Sequence, residues 1–221
     1  MNRKISGDNL SGSLDAIEWH AATRPLPGQR ACGDLCAVLP IPKGVVLAVA
    51  DGLGHGEEAA EAARVAMDTV ERHREESVIA LVQRCHERLR ETRGAVMSIA
   101  AMNVLEDSLT WVGVGDVEGV LFRASTSENV RREYLLRRAG VLGDRLTAPS
   151  ASIVTISTGD LLILATDGIR SNFIEEDLVG QPPQEAADRI LRKYWRKSDD
   201  ALVLAARYLG GASSLSGKGK P

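Results

Sequence analysis

Residues 44–59 read GVVLAVADGLGHGEEA, and the fold of this protein turns on how that string divides. Val45 to Val49 is continuously apolar, as expected of a strand covered on both faces. The strand runs into Asp51-Gly52 and a glycine-rich turn. There follows EEAAEAARVAMDTVERHREE, in which Ala59, Ala63, Ala66, Met67 and Val70 recur at helical spacing. Glu57 and Glu58 fall in the first turn of that helix, where the helix dipole favours negative charge. The strand-then-Asp-Gly arrangement occurs a second time: DLLILAT (160–166) is apolar and runs into Asp167-Gly168.

On either side of these two stretches the pattern is mostly extended. Strands are expected over 13–23, 34–41, 44–50, 95–105, 108–115, 119–124, 133–138, 151–157, 160–166 and 200–208. A second amphipathic helix is marked by Val78, Leu81, Val82, Cys85 and Leu89. Further helical stretches are expected at 175–180 and 182–197, the latter with Pro182 and Pro183 suited to a helix start. Strands outnumber helices, short turns join most of them, and the helices fall in two groups. The simplest architecture is an α+β fold: an αββα sandwich of two antiparallel sheets packed together and flanked by helix pairs. Residues 1–12 read as a flexible lead-in, 13–209 as one domain, and 210–221 (GGASSLSGKGKP) as a flexible tail.

Composition narrows the function classes. The formal net charge of -3 and pI near 5.9 lack the basic excess of a nucleic-acid binder. Apolar runs stop short of the roughly 20 residues needed to span a bilayer, and no apolar segment follows the charged N-terminus as in a secretory signal. Three cysteines in a chain of this size fit a reducing cytoplasm.

Four acidic positions lie at strand ends. Asp51 and Asp167 follow strands, Asp34 opens one after Gly33, and Asp199-Asp200 directly precedes the last. Hard divalent cations such as Mg²⁺ and Mn²⁺ take oxygen ligands, retain several waters, and suit a few carboxylates on rigid supports. Two such ions about 4 Å apart clamp a phosphoryl group for in-line attack. Glycine after the aspartate permits a sharp turn and brings its own carbonyl within reach. Asp-Gly is also a common turn dipeptide, so the pattern by itself leaves a plain turn and an acidic metal centre both open.

The ordered strings ADGLGHGEEA, GDLLILATDGIRSNF and SDDALVLAAR resemble the PPM class of metal-dependent protein phosphatases, in particular its SpoIIE-like branch; VGVGDVEGVLFR followed by AGVLG resembles the central strands of that branch. The resemblance covers roughly residues 30–208. It implies a phosphoserine/phosphothreonine protein phosphatase using Mn²⁺ or Mg²⁺, two ions in all, with a metal-bridging hydroxide as nucleophile. By that resemblance Asp51 bridges both metals, the Gly52 carbonyl binds one of them, Asp34 acts on the same ion directly or through water, and Asp167 and Asp199 complete the other. Asp199 is preferred to Asp200 because the first acid of this motif is the family ligand. With no sensor region in front, the resemblance is to the short stand-alone phosphatases of the stressosome, and it implies phosphorylated STAS-domain stressosome proteins as partners. A phosphatase of a soluble anti-anti-sigma factor and a non-catalytic binding module on the same fold are the alternatives.

Weaker signals surround this set. His55, within a Gly-rich turn, is a candidate general acid, although a loop role is favoured. Arg30 is a candidate phosphate holder four residues before Asp34, with a solvated arginine the favoured reading. Cys32 and Cys36 straddle Asp34 and are read as packing rather than zinc ligands. The run Arg192–Lys197 is read as a helix C-terminus with Trp195 packed inward rather than a docking patch.

Overall fold

The computed structural model describes residues 3–5, 10–14, 16–125 and 131–211. The chain opens with β1 (Arg3–Ile5), β2 (Leu10–Leu14) and β3 (Ile17–Arg24), continues through β4 (Asp34–Ile41) and β5 (Gly44–Gly52), and then forms α1 (Glu57–His73) and α2 (Val78–Arg88). There follow β6 (Ala95–Asn103), β7 (Ser108–Val114), β8 (Glu118–Phe122), β9 (Arg132–Tyr134), β10 (Arg137–Arg138), β11 (Ser152–Thr155) and β12 (Leu161–Ala165), then α3 (Pro183–Tyr194) and β13 (Ala201–Tyr208). One sheet has the order β1-β4-β5-β6-β7-β10, with β11 also on β7; the other runs β2-β3-β13-β12-β8-β9.

Side-chain alternation sets the layers. Along β5, Val45, Leu47 and Val49 enter the core between the sheets, while Val46, Ala48 and Ala50 face α1 and α2. Along β12, Leu162 and Leu164 face between the sheets, and Leu161, Ile163 and Ala165 pack under α3. The small side chains Ala62, Ala63 and Ala66 on α1 let that helix sit close on its sheet. Three apolar layers thus separate four layers of secondary structure, the αββα sandwich expected. Each fully buried leucine, such as Leu47, contributes about 2 kcal/mol by transfer alone.

Four details differ from the sequence expectation. The strand expected over 13–23 is a hairpin, β2 against β3, with Leu14 opposite Ile17. Residues 1–12, expected to be a flexible lead-in, supply β1 on β4 and the start of β2. Gly12 is the reason β2 fits: a Cβ there would stand 2.7 Å from the Trp19 indole. The strand expected over 133–138 splits into β9 and β10, which belong to different sheets, and β10 pairs with β7 in parallel. The second outer layer is α3 with a 3₁₀ turn at Ser171–Glu175 rather than two helices, since the EEDLVG stretch is too short to nucleate one. The tail lies outside the described residues from 212 onward.

What matters for function is one end of the sandwich. Asp34 at the start of β4 stands opposite Asp51 near the end of β5. At the same end of the second sheet, Ala165 closes β12 beside Val203, and the link from β7 to β8 crosses from one sheet to the other.

Candidate active site

The alternation that builds the inter-sheet core also aims the acids. Asp51 continues the row Val45, Leu47, Val49, and Asp34 continues the row Val38, Cys36. Both carboxylates therefore stand where the apolar sandwich opens to its rim. Thr166 joins the sheets at this point. Its hydroxyl donates to Asp34 Oδ2 at 2.7 Å and accepts from the Leu202 amide at 2.9 Å. Asp34 is only 2% exposed, and this bond fixes one of its oxygens. Asp167 follows directly and is exposed at the rim.

The two acids of the Asp199-Asp200 pair separate in role. Asp200 is buried, with Oδ1 accepting from the Leu26 amide at 2.7 Å and Oδ2 from the Gly33 amide at 2.9 Å. It braces the loop that delivers Asp34. Asp199 is partly exposed and lines the cleft, which supports the preference for it as the ligand. Asp200→Ala is expected to lose two charge-assisted bonds and at least about 3 kcal/mol, or roughly 6–12 °C in Tm. Asp199→Ala is expected to leave Tm nearly unchanged and weaken Mn²⁺ binding. Thermal unfolding with calorimetric titration separates the two, and equal Tm losses would refute the division.

Glycine in both Asp-Gly pairs answers to a close approach, not to the sharp turn expected from sequence. A Cβ on Gly52 would lie 2.0 Å from the Ala59 carbonyl oxygen in α1, and one on Gly168 would lie 1.8 Å from that of Asp200. Neither glycine has a positive φ. The helix start and the Asp199-Asp200 loop press directly against the acid-bearing turns, holding them rigidly.

The electrostatics are those of a crowded anionic site. Burial, then the charges of Asp34, Asp167, Asp116 and Asp199, push the Asp51 carboxyl up to about 10. Asp34 lies well above the usual carboxylate range, chiefly through burial; the Thr166 bond opposes this, and Asp200, Asp167 and Asp199 add to it. Asp167 is raised by burial, Asp116 and Asp199, with Arg196 pulling it back. Asp116 was not among the acids picked out from sequence. It sits in the link between β7 and β8, and its signal was the acid after a strand in VGVGD, with Gly115 at φ 88° turning the chain toward the second sheet.

A cleft of about 520 Å³ opens here, lined among others by Asp116, Glu118, Thr166, Asp167 and Asp199 together with Arg137 and Arg196. Neither His55 nor Arg30 lines it; both are exposed on neighbouring loops. Trp195 packs as expected: its indole N–H donates to the Asp199 carbonyl at 3.0 Å, and the Arg24 guanidinium lies 5.5 Å over its ring.

Comparison with known proteins places this geometry. Residues 42–209 match the family described as stage II sporulation protein E, SpoIIE. The chain belongs to the SpoIIE family. The matched span includes Asp51, Gly52, Asp167 and Asp199, with Asp34 just ahead of it. Within reach of this SpoIIE-family chain is the phosphoserine phosphatase RsbX of Bacillus subtilis (strain 168), 29% identical over 176 residues, which are 80% of this chain and 86% of that protein. A crystal structure of RsbX in complex with magnesium superposes with a TM-score of 0.81 at 25% identity, covering 91% of this chain and all of the other. A chain solved in work on the bacterial stressosome gives 0.78 at 29% identity, covering 87% of this chain and all of the other. The αββα architecture is therefore that of the PPM phosphatases, as expected.

The residues present fit a hard divalent cation. Among the described residues no three His, Cys, Asp or Glu side chains stand close enough together to hold a metal ion by themselves; Asp167 and Asp199 line an open cleft, and Asp34 and Asp51 lie at the same end of the sandwich. That suits Mg²⁺ or Mn²⁺, which keep most of their waters and need one or two carboxylates. A cluster of carboxylates that raise one another's proton affinity is also one that a 2+ charge relieves.

Proposed function

We propose that this chain is a Mn²⁺- or Mg²⁺-dependent phosphoserine/phosphothreonine protein phosphatase acting on phosphorylated STAS-domain stressosome proteins. The observation that carries the reading is the placement of Asp34, Asp51, Asp167 and Asp199 at one end of the inter-sheet core, the last two lining the cleft there, within a SpoIIE-family domain. The phosphoserine phosphatase RsbX and the stressosome-derived chain, both at 25–29% identity, support the substrate class.

In this reading Asp34, Asp51, Asp167, Asp199 and the Gly52 carbonyl are the groups that would hold the metal, with Asp51 the central carboxylate among them. When bound, the ions supply an activated water and neutralise charge on the phosphoryl oxygens. The chain's own residues hold that arrangement. Thr166 orients Asp34, Asp200 fixes the loop before it, and the two glycines lock the acid-bearing turns against α1 and the Asp199-Asp200 loop.

A side-chain thiol nucleophile is excluded by burial. Cys32, Cys36 and Cys85 are free and buried; Cys32 and Cys85 are pushed up to about 12 and Cys36 is raised further by burial and Cys32. A cytoplasmic location belongs to the same reading, supported by these unpaired cysteines. No helix among the described residues is long and apolar enough to cross a membrane.

The test is dephosphorylation of a serine-phosphorylated STAS-domain scaffold protein, with and without Mn²⁺, beside a phosphorylated soluble anti-anti-sigma factor. Faster metal-dependent release from the scaffold is expected. Preference for the soluble factor would redirect the substrate assignment, and no turnover of either under any metal would overturn the enzymatic one.

A further inference from the structure

The acidic cleft carries two positive side chains, and neither is the arginine that sequence singled out. Among the described residues lining it, Arg137 and Arg196 are the only cations. They arrive from opposite sheets: Arg137 is on β10, at the edge of the first, and Arg196 follows α3, against the second. Each is tethered to the backbone of an acid-bearing loop. Arg137 Nη1 donates to the Asp116 carbonyl at 2.6 Å. Arg196 Nε donates to the Asp167 carbonyl at 2.8 Å, and its own amide donates to the Gly168 carbonyl at 2.8 Å.

These tethers have a chemical consequence. A guanidinium has five N–H donors in a rigid fork, and each of these spends a side-chain donor on a neutral carbonyl rather than on a carboxylate. Its charge stays available in a cleft crowded with acids, and its orientation is fixed in advance. A loop brace alone needs no charge. Two pre-oriented forks lining a cleft shared with Asp167 and Asp199 offer the N–H donors and charge that the oxygens of a phosphate monoester dianion take.

We propose that Arg137 and Arg196 together form the phosphoryl-binding clamp of this site, taking the non-bridging oxygens of the substrate's phosphate, in place of Arg30. The assignment rests on the phosphatase reading above. It also accounts for how a dianion enters a cleft of net negative charge: the two arginines supply local positive potential along its lining.

The experiment uses p-nitrophenyl phosphate as substrate and inorganic phosphate as inhibitor of the Mn²⁺-loaded full chain. Arg137→Met and Arg196→Met are each expected to raise KM and the phosphate inhibition constant by about tenfold or more, the scale of one charge-assisted hydrogen bond. Tm should stay at the wild-type value, and calorimetric Mn²⁺ affinity should not fall below it. Arg→Lys variants, which keep the charge but lose the fork, should recover only part of the loss, and Arg30→Met should show wild-type constants.

Unchanged phosphate inhibition in both Met variants would overturn the clamp. So would a defect confined to a phosphoprotein substrate, which would place the arginines on flanking peptide, or losses of Tm and Mn²⁺ affinity in step with KM, which would make them loop braces. A wild-type protein with no metal-dependent turnover would instead defeat the phosphatase reading, leaving direct calorimetric binding of phosphate to the Mn²⁺-loaded protein, compared across the same variants, to decide the clamp.

Discussion

Replacing Asp51 with Asn is expected to reduce Mn²⁺-dependent turnover about a thousandfold or more, while raising the Tm of the metal-free protein by a few degrees. The two effects share one cause. Asp51 lies opposite Asp34 in the β4–β5 register, and burial first, then the charges of Asp34, Asp167, Asp116 and Asp199, push its carboxyl toward the neutral form. A carboxylate in that position is costly to the fold and useful only when a cation shares it. If Asp51 holds the metal as proposed, its loss would remove several kcal/mol of transition-state stabilisation, and about 1.4 kcal/mol corresponds to a factor of ten.

The sign of the stability effect follows from proton linkage. An acid raised in the folded state binds protons more tightly there than in the unfolded chain, so its contribution to stability is full below the unfolded value and is lost as pH rises through about 10. The gain from Asp51→Asn in the metal-free protein should therefore be larger at pH 8 than at pH 5. Steady-state kinetics with Mn²⁺ and thermal unfolding in chelator measure the two halves. Wild-type-like turnover in the variant would refute the site; a lower metal-free Tm would refute the account of its electrostatics.

The second large effect is expected at Gly168, where no charge is involved. A Cβ there would lie 1.8 Å from the Asp200 carbonyl oxygen and 3.1 Å from the Ala201 side chain. Neither neighbour is the free end of a flexible side chain, so one of two backbone segments must move. Overpacking of this kind costs about 3 kcal/mol or more, close to 6–12 °C in a domain of this size. The shift would separate Asp167 from Asp199, so Gly168→Ala should also weaken Mn²⁺ binding. Gly180→Ala is the control for surface glycines, since its φ of 79° brings strain but its Cβ meets nothing within 4 Å. A Gly168→Ala protein with unchanged Tm and metal affinity would show that the close approach is not required.

Much of the architecture was legible in local pattern. Period-two alternation and two apolar runs ending in Asp-Gly identify the strands and the acids, because a strand buried on both faces leaves few positions for charge. Where the reading went astray, the deciding interaction was not local. The segment 13–23 lacks a strong turn signal, and its break into β2 and β3 is stabilised by Gly12 lying flat on Trp19. Residues 133–138 (EYLLRR) carry no break signal, yet Leu135 enters the inter-sheet core, and the chain uses this point to pass from one sheet to the other.

The site divides in the same way. Asp34, Asp51, Asp167 and Asp199 stand out in the amino-acid sequence alone, since acids at the ends of apolar strands are conspicuous against the periodicity around them. That Asp34 faces Asp51, that Asp200 is a brace and Asp199 the cleft residue, and that Gly52 and Gly168 exist for contact rather than for turning depend on which strands pair. Asp116 and Arg137 reach the cleft because the chain crosses between sheets at this end, and Arg196 because the end of α3 lies against the Asp167-Gly168 turn. Charge type and strand periodicity are local properties and can be read from the chain; the company a side chain keeps is set by long-range pairing, and only the tertiary structure decides it.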